Sequence, residues 1–251
     1  MGDCPETKRE VSGDFAYGSI EKYKARFVAR RFSQKEGVDY DETFSLVARH
    51  TSIKTIIVIA SVMGWKLHQM DVKTAFLNGV VEQDVYIKQL LGFIVHESGS
   101  HVCKLKKALY GLKQAPRARY AKIDSFLKSL VSTKSIADPN LYFKVVDGFL
   151  VILILYVDDL SLTGNEKLIA GCKKELTKQF EMKDLGPMHY FLGLEVWQKP
   201  SKIFLNQGKY TIEILKRFGM MDCKSMDTLM NSNMKLLNES SLDLVDPIVF
   251  R

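Results

Sequence analysis

The chain has 251 residues, enough for one large domain or two small ones, and carries 36 Lys and Arg against 29 Asp and Glu, a formal net charge of +7. A hydrophobic content of 46% with no low-complexity tract or internal repeat sets aside fibrous, disordered and repeat classes. The four cysteines, Cys4, Cys103, Cys172 and Cys223, make no zinc spacing and read as free thiols of a reducing compartment.

Met1 to Ser19 is polar and mixed in charge; residues 1–19 read as a loose segment with no signal-peptide core. The expectation is an intracellular, cytoplasmic protein with no membrane contact. From Ile20 to Phe32 five cations, Lys22, Lys24, Arg26, Arg30 and Arg31, follow one another with no acid among them after Glu21. Lys22, Lys24 and Arg26 alternate with Tyr23, Ala25 and Phe27, so a strand here sets a row of cations on one face. Such a row can line a phosphate path, or simply protect an exposed edge strand. Thr51 or Ser52 can cap a helix through Ile53, Ile56, Ile57, Ala60 and Met63 that stops near Gly64. Trp65 to Met70 alternates as a strand and delivers a lone carboxylate, Asp71. Short strands follow at Val85 to Ile87 and Val102 to Leu109, then a Gly/Pro-punctuated loop from Tyr110 to Pro116. This loop region forms the second basic concentration, with Lys104, Lys106, Lys107, Lys113, Arg117 and Arg119. A helix runs from about Arg117 to Leu130, with Ile123, Phe126, Leu127 and Leu130 on one side.

Asp138-Pro139 breaks the chain, Leu141 to Val146 is a strand, and Asp147-Gly148 a turn. Phe149 to Gly164 then sets an apolar, Val- and Ile-rich run against two carboxylates, Asp158 and Asp159, and returns through Leu160 to Thr163. It reads as a buried hairpin with the acid pair at its tip, far shorter than a membrane span. Two carboxylates at the end of an apolar strand repel each other, and a hard divalent cation with oxygen ligands relieves that. An ordinary Asp-bearing turn fits the same stretch. Asn165 caps a helix through Leu168, Ile169, Cys172, Leu176 and Phe180. Lys183 to Pro187 reads as a loop, Tyr190 to Trp197 and Ile203 to Leu205 as strands, and Tyr210 to Phe218 as a helix with Ile212, Leu215 and Phe218 inward. Beyond Met226 the pattern fades.

Five ordered motifs resemble the reverse transcriptase of copia-type retrotransposons. They are Lys22-Tyr-Lys-Ala-Arg26, Gln69-Met-Asp-Val-Lys-Thr-Ala-Phe-Leu-Asn-Gly79, Leu109-Tyr-Gly-Leu-Lys-Gln-Ala-Pro-Arg117, Tyr156-Val-Asp-Asp159 and Phe191-Leu-Gly-Leu-Glu-Val196. Tyr-x-Asp-Asp alone is weak; the five in this order are specific, and the resemblance covers residue 20 to the end. It implies an α+β right-hand polymerase: fingers at 20–63 and 79–115, palm (an antiparallel sheet with helices on one face) at 64–78 and 116–200, partial thumb at 201–251. It implies an RNA-directed DNA polymerase using two Mg²⁺ ions, with Mn²⁺ a substitute, an RNA or DNA template with primer, and deoxynucleoside triphosphates. Its setting would be a cytoplasmic virus-like particle.

The resemblance also assigns residues. Asp71, Asp158 and Asp159 would be the catalytic carboxylates, and with the Val72 carbonyl the metal ligands. Lys24, Arg26, Thr74, Ala75, Phe76, Tyr110, Gly111 and Gln114 would bind the nucleotide, Phe76 as the gate against a ribose 2′-hydroxyl. Phe76 also reads as a core residue after a strand. Gly111 fits where a side chain would strike nucleotide or template. Phe191, Leu192, Gly193, Leu194 and Glu195 would position the primer, and Lys183 is a candidate proton donor that reads equally as a solvated lysine. The chain departs from the family pattern at Arg31, at Leu46 and at Arg119, where the pattern has Gly, Pro and Trp. A buried Trp replaced by Arg predicts a cost of about 3–5 kcal/mol. The fingers strand before Ile20 reads as degraded or absent, and the ribonuclease H region as missing. These departures leave a second function open, a retrotransposon relic that only binds nucleic acid. A metal-dependent nuclease or phosphotransferase built on Asp71 and Asp158 is a third, which the fingers and Gly-Leu-Lys-Gln-Ala-Pro motifs disfavour.

Overall fold

A computed structural model of the chain describes residues 7–16, 19–29, 34–37, 40, 47–81, 84–89, 101–130 and 133–226. Side chains before Phe27 are not among them, nor are Arg31, Leu46 and the segment beyond Met226. The chain divides into two compact units, Met1–Met188 with Pro200–Lys202, and His189–Lys199 with Ile203–Arg251.

The first unit opens with a hairpin of β1, Thr7–Ala16, and β2, Ser19–Ala29. The segment read as loose therefore contains a strand, and the strand expected to be missing before Ile20 is β1. Its ten residues carry no apolar alternation because their order comes from the ladder with β2. Helix α1, His50–Met63, buries Ile53, Ile56, Ile57 and Ala60 and ends at Gly64, whose left-handed φ of 66° closes the last turn. Neither Thr51 nor Ser52 is its N-cap, which is Arg49. The Arg49 backbone N–H donates instead to Asp138 Oδ2 at 2.9 Å, so a buried carboxylate 89 positions away closes this end.

The six-stranded antiparallel sheet of this unit is built from β3, His68–Val72; β6, Thr133–Lys134; β7, Leu141–Val146; β8, Phe149–Tyr156; β9, Asp159–Gly164; and β10, Met182–Pro187. Its order is β10-β3-β9-β8-β7-β6. The β7–β8 turn, Asp147-Gly148, takes positive φ at both residues, as a tight hairpin requires. The segment read as a loop at 183–187 is thus strand β10. Its hydrogen bonds come from β3, over 100 positions earlier, and a register shift between Asp184 and Gly186 obscures its period. The short pair β4, Tyr86–Lys88, and β5, Val102–Lys104, lies outside this sheet; the strand read to Leu109 stops at Lys104.

Helices α2, Ala115–Ser129, and α3, Glu166–Gln179, bury Ile123 and Leu127, and Ile169 and Leu176, against Met70, Leu153, Leu155, Leu160 and Leu162. Pro116 lies in the first turn of α2, where its missing N–H costs nothing. Asn165 caps α3, accepting from the N–H groups of Lys167 and Leu168 at 3.0 and 3.3 Å. Alternate residues of β8 face opposite ways: Leu153 and Leu155 enter this core, while Ile152 lines a cleft with Ile56 and Ile59 of α1. A buried charge in α2, Asp124, is fully engaged. It accepts from Tyr142 Oη at 2.5 Å and pairs with Lys134 and Lys128 at 2.9 and 2.7 Å.

In the second unit, the stretch read as one strand is a hairpin, β11, Tyr190–Phe191, and β12, Leu194–Lys199, followed by β13, Lys202–Asn206. Leu192 and Gly193 form its turn with φ of 52° and 79°. Helix α4, Gly208–Arg217, is amphipathic but buries no residue; Ile212 and Phe218, read as inward, are 46% and 41% exposed. No described helix is long and apolar enough to cross a membrane.

Candidate active site

Strand β3 lies between β10 and β9, and this sets three charged residues side by side. Lys183 of β10 is in register with Asp71, and Asp71 with Asp159 of β9. Cross-strand partners share a face. Because Met70 and Leu160 enter the core under the sheet, the Lys183–Asp71–Asp159 row looks the other way. Gln69, two residues along on the same face, donates from Nε2 to Asp159 Oδ1 at 2.9 Å. Burial pushes the Asp159 carboxyl up and the neighbouring Asp71 charge adds to this, against the Gln69 hydrogen bond.

Asp158 sits in the turn between β8 and β9, and its backbone carbonyl accepts from the Val72 N–H at 2.9 Å. The turn is thereby tied to the residue after Asp71. Val157 and Thr74 both have positive φ, 42° and 50°. Both are β-branched, for which the left-handed region is strained, and both flank the acids. The donor set is hard carboxylate oxygen and includes a like-charged, partly buried pair, which suits a divalent cation. Among the described residues, no three His, Cys, Asp or Glu side chains stand close enough to hold a metal ion together. Asp71 and Asp159 are paired across β3 and β9; Asp158 is in the turn whose Val157 carbonyl accepts from Arg119.

Arg119, which stands where the family pattern has Trp, is buried in the first half of α2. It enters α2 at the end where Gly79 touches the helix: a Cβ on Gly79 would come within 2.7 Å of the Arg119 nitrogen. The side chain is buried, and Nη1 donates to the Val157 carbonyl. Burial lowers its pKa, opposed first by the charge of Asp158. Its Nε, also buried, has no hydrogen-bond partner. The available signal was a charge four positions before Ile123 on the apolar stripe of α2.

The residues assigned to the nucleotide divide. Ala75 is buried and Phe76 partly so, in a 3-10 turn, Ala75–Asn78; the Phe76 ring meets Tyr110 edge-on, centroids 4.9 Å apart. Tyr110 also holds β2, its carbonyl accepting from the Ala29 N–H at 2.7 Å. Gly111 has a reason within the fold: at φ 87°, a Cβ there would lie 2.1 Å from the Ala29 carbonyl oxygen. Gln114 is buried and its Oε1 accepts from Gln34 Nε2 at 3.0 Å, an internal rather than an open position. Lys24 and Arg26 lie on β2 opposite Ser12 and Glu10. In the other unit, Phe191 is buried, Leu194 is partly buried, and Glu195 Oε1 accepts from the Lys209 N–H at 3.2 Å, placing its charge at the start of α4. Of the basic loop, Lys104 pairs with Asp84 at 2.6 Å, Lys113 bonds the Tyr40 hydroxyl, and Lys106, Lys107 and Arg117 are exposed.

Comparison with known proteins bears on the family of the chain. Residues 5–232 match the family model described as reverse transcriptase (RNA-dependent DNA polymerase). The chain is 46% identical over 221 residues to the retrovirus-related Pol polyprotein from transposon TNT 1-94 of Nicotiana tabacum, covering 86% of this chain and 17% of that protein. It is 40% identical over 235 residues to the Pol polyprotein from transposon RE1 of Arabidopsis thaliana, covering 93% and 16%. The chain thus spans about a sixth of the length of these relatives. With a family model matched over most of its length and an acid-bearing sheet beneath the match, the chain belongs to the reverse transcriptase family.

Proposed function

We propose that this chain is the RNA-directed DNA polymerase portion of a copia-type retrotransposon Pol polyprotein. On this reading β1 and β2 join residues 20–63 and 79–115 as fingers, 64–78 and 116–200 form the palm, and 201–251 part of a thumb. The observation that carries it is the Lys183–Asp71–Asp159 row with the Asp158 turn bonded to Val72. Asp71, Asp158, Asp159 and the Val72 carbonyl would hold Mg²⁺. When bound, two such ions lower the pKa of a primer 3′-hydroxyl and neutralise the departing pyrophosphate. The chain's own residues do the rest. Gln69 orients Asp159, β9 and β10 fix Asp71 from both sides, and Lys183 stands in reach of the same face to give a proton to the leaving group. Phe76, braced by Tyr110, would lie under the sugar of a deoxynucleoside triphosphate. The exposed Lys106, Lys107 and Arg117 suit the backbone of a template–primer duplex.

The test is Mg²⁺-dependent extension of a DNA primer on an RNA template, with Asp158→Asn as the control. Equal extension by wild type and variant sinks the reading. Phe76→Val should raise ribonucleotide incorporation; an unchanged ratio returns Phe76 to a packing role. One observation favours the relic reading, the buried guanidinium of Arg119 bonded to the turn that carries Asp158. It predicts salt-sensitive duplex binding without incorporation under Mg²⁺ or Mn²⁺.

A further inference from the structure

On the helix side of the six-stranded sheet, away from the acid row, a pocket of about 230 Å³ opens between the C-terminal end of α2 and α3. Leu130 and Leu168 give it an aliphatic lining, and Lys144, Lys167 and Lys174 bring three cations to it. Lys144 is paired across the sheet with Val151, a core residue, so it projects toward the helices. Its Nζ donates to the Leu130 carbonyl at 2.8 Å, which leaves two of its three N–H groups for a ligand. Lys167 and Lys174 are exposed, and among the described residues neither ammonium has a hydrogen bond or an ion pair. The one carboxylate of the lining, Glu175, is met by Lys178 at 2.7 Å. Seven positions apart on α3, Lys167 and Lys174 share a face about 10 Å apart along the axis. Gly171 lies between them on the same face, and nothing inside the protein asks for glycine there. Its φ is not left-handed, and a Cβ would meet nothing within 4 Å. In a helix interior only proline is less favourable. A glycine carried at that cost, in a lysine-lined pocket, leaves the helix backbone open to close approach from outside.

We propose that this pocket is a second nucleic-acid site, which holds a backbone phosphate of a single-stranded segment on the helix side of the sheet. Three cations with no unmatched acid among them select an anion. The lining has no aromatic ring on which a base could stack, so the contact is with phosphate and sugar and is blind to sequence. The pocket is smaller than the roughly 300–1,000 Å³ of clefts that enclose a drug-sized ligand. It therefore takes one phosphate unit of a strand crossing the surface, not a whole nucleoside triphosphate. The choice of nucleic acid rests on the chain's membership of the reverse transcriptase family; the site itself uses none of the acids. A strand gripped here stays with the protein while its other end leaves the acid face, so the site acts on retention and not on bond formation.

Binding of a fluorescent uridine hexamer to the full chain, followed by anisotropy across a salt series, tests this. The double variant of Lys167→Gln with Lys174→Gln should bind more weakly. Its plot of log affinity against log salt should be shallower by about 1.4, two phosphate contacts at about 0.7 each. Gly171→Leu fills the pocket at unchanged charge with a better helix former, so it should fold at least as well and still bind the hexamer more weakly. Affinity and slope equal to wild type in both variants overturn the proposal, whether or not the chain extends a primer. Primer extension reads the acid face separately: a chain that extends nothing but loses hexamer binding on Gly171→Leu keeps this site and loses the polymerase reading. The methyl resonances of Leu130 and Leu168 place the effect. They should shift in wild type as the hexamer is added, and methyls unmoved at saturation overturn the proposal. Uridine monophosphate shifting them at the same concentration as the hexamer makes this a small-phosphate site. Hexaglutamate displacing the hexamer at lower concentration makes it a docking point for an acidic protein. Either result overturns the nucleic-acid strand as its ligand.

Discussion

Helix α2 carries two buried charges, five positions apart, that are treated in opposite ways. Asp124 is met on every side: Tyr142 and Tyr120 hydroxyls, Lys128 and Lys134. Burial alone would push its carboxyl up, but the bonds from Lys128, Tyr142 and Lys134 outweigh this and hold it below the usual carboxylate range. Arg119 has one bonded nitrogen, a buried Nε without a partner, and a strained turn as its acceptor. A saturated buried charge specifies the fold. An incompletely saturated one beside candidate metal ligands is tension kept at a site.

Substitutions separate the two ends. The largest effect belongs to the turn: Asp158→Asn should cut primer extension per folded molecule at least about a thousandfold. Asp124→Ala should do the reverse. Stranding Tyr142 and Lys134 costs about 3 kcal/mol in urea unfolding, with extension per folded molecule unchanged. Loss of extension in proportion to more than the folded fraction would erase the distinction. Tyr142→Phe removes one arm of the same network and should cost about 1–1.5 kcal/mol. The smallest effect is on pH. Asp138 and Asp184, like Asp124, are pushed up by burial but held net below their ordinary range. Ser52 and the Asn140 and Arg49 N–H groups do this for Asp138, and Lys173 and the Gly186 N–H for Asp184. Folded values below the unfolded ones give stability that is present above the ordinary carboxylate range and lost as pH falls through the folded values. Unfolding free energy should be flat from pH 7 to about 5 and fall below about 4. Asp124→Asn should make that fall shallower; an unchanged slope would show Asp124 to be weakly engaged.

Much of this was legible from local chemistry. The β7–β8 hairpin, the Asn165 cap and the Gly64 stop are written in residues adjacent to the features they control. What escaped was decided at a distance. Strand β10 is polar and contains Gly186 and Pro187, and only pairing to β3 makes it a strand and brings Lys183 beside Asp71. At the start of α1 the Arg49 N–H is bonded by Asp138, 89 positions away in sequence. The acceptor of Arg119 is a main-chain carbonyl 38 positions on, which no side-chain pattern announces. The apolar stripe of α4 was read correctly as a stripe, but amphipathic spacing says which face is apolar and not whether anything covers it.

The outermost strands of the six-stranded sheet have a consequence for handling the protein. One border, β6, offers only two residues to an incoming chain. The other, β10, loses register partway along and finishes in a proline with no amide hydrogen to give. Neither border is a good template for docking another molecule's strand, so concentrated solutions should resist stacking into fibrils through this sheet.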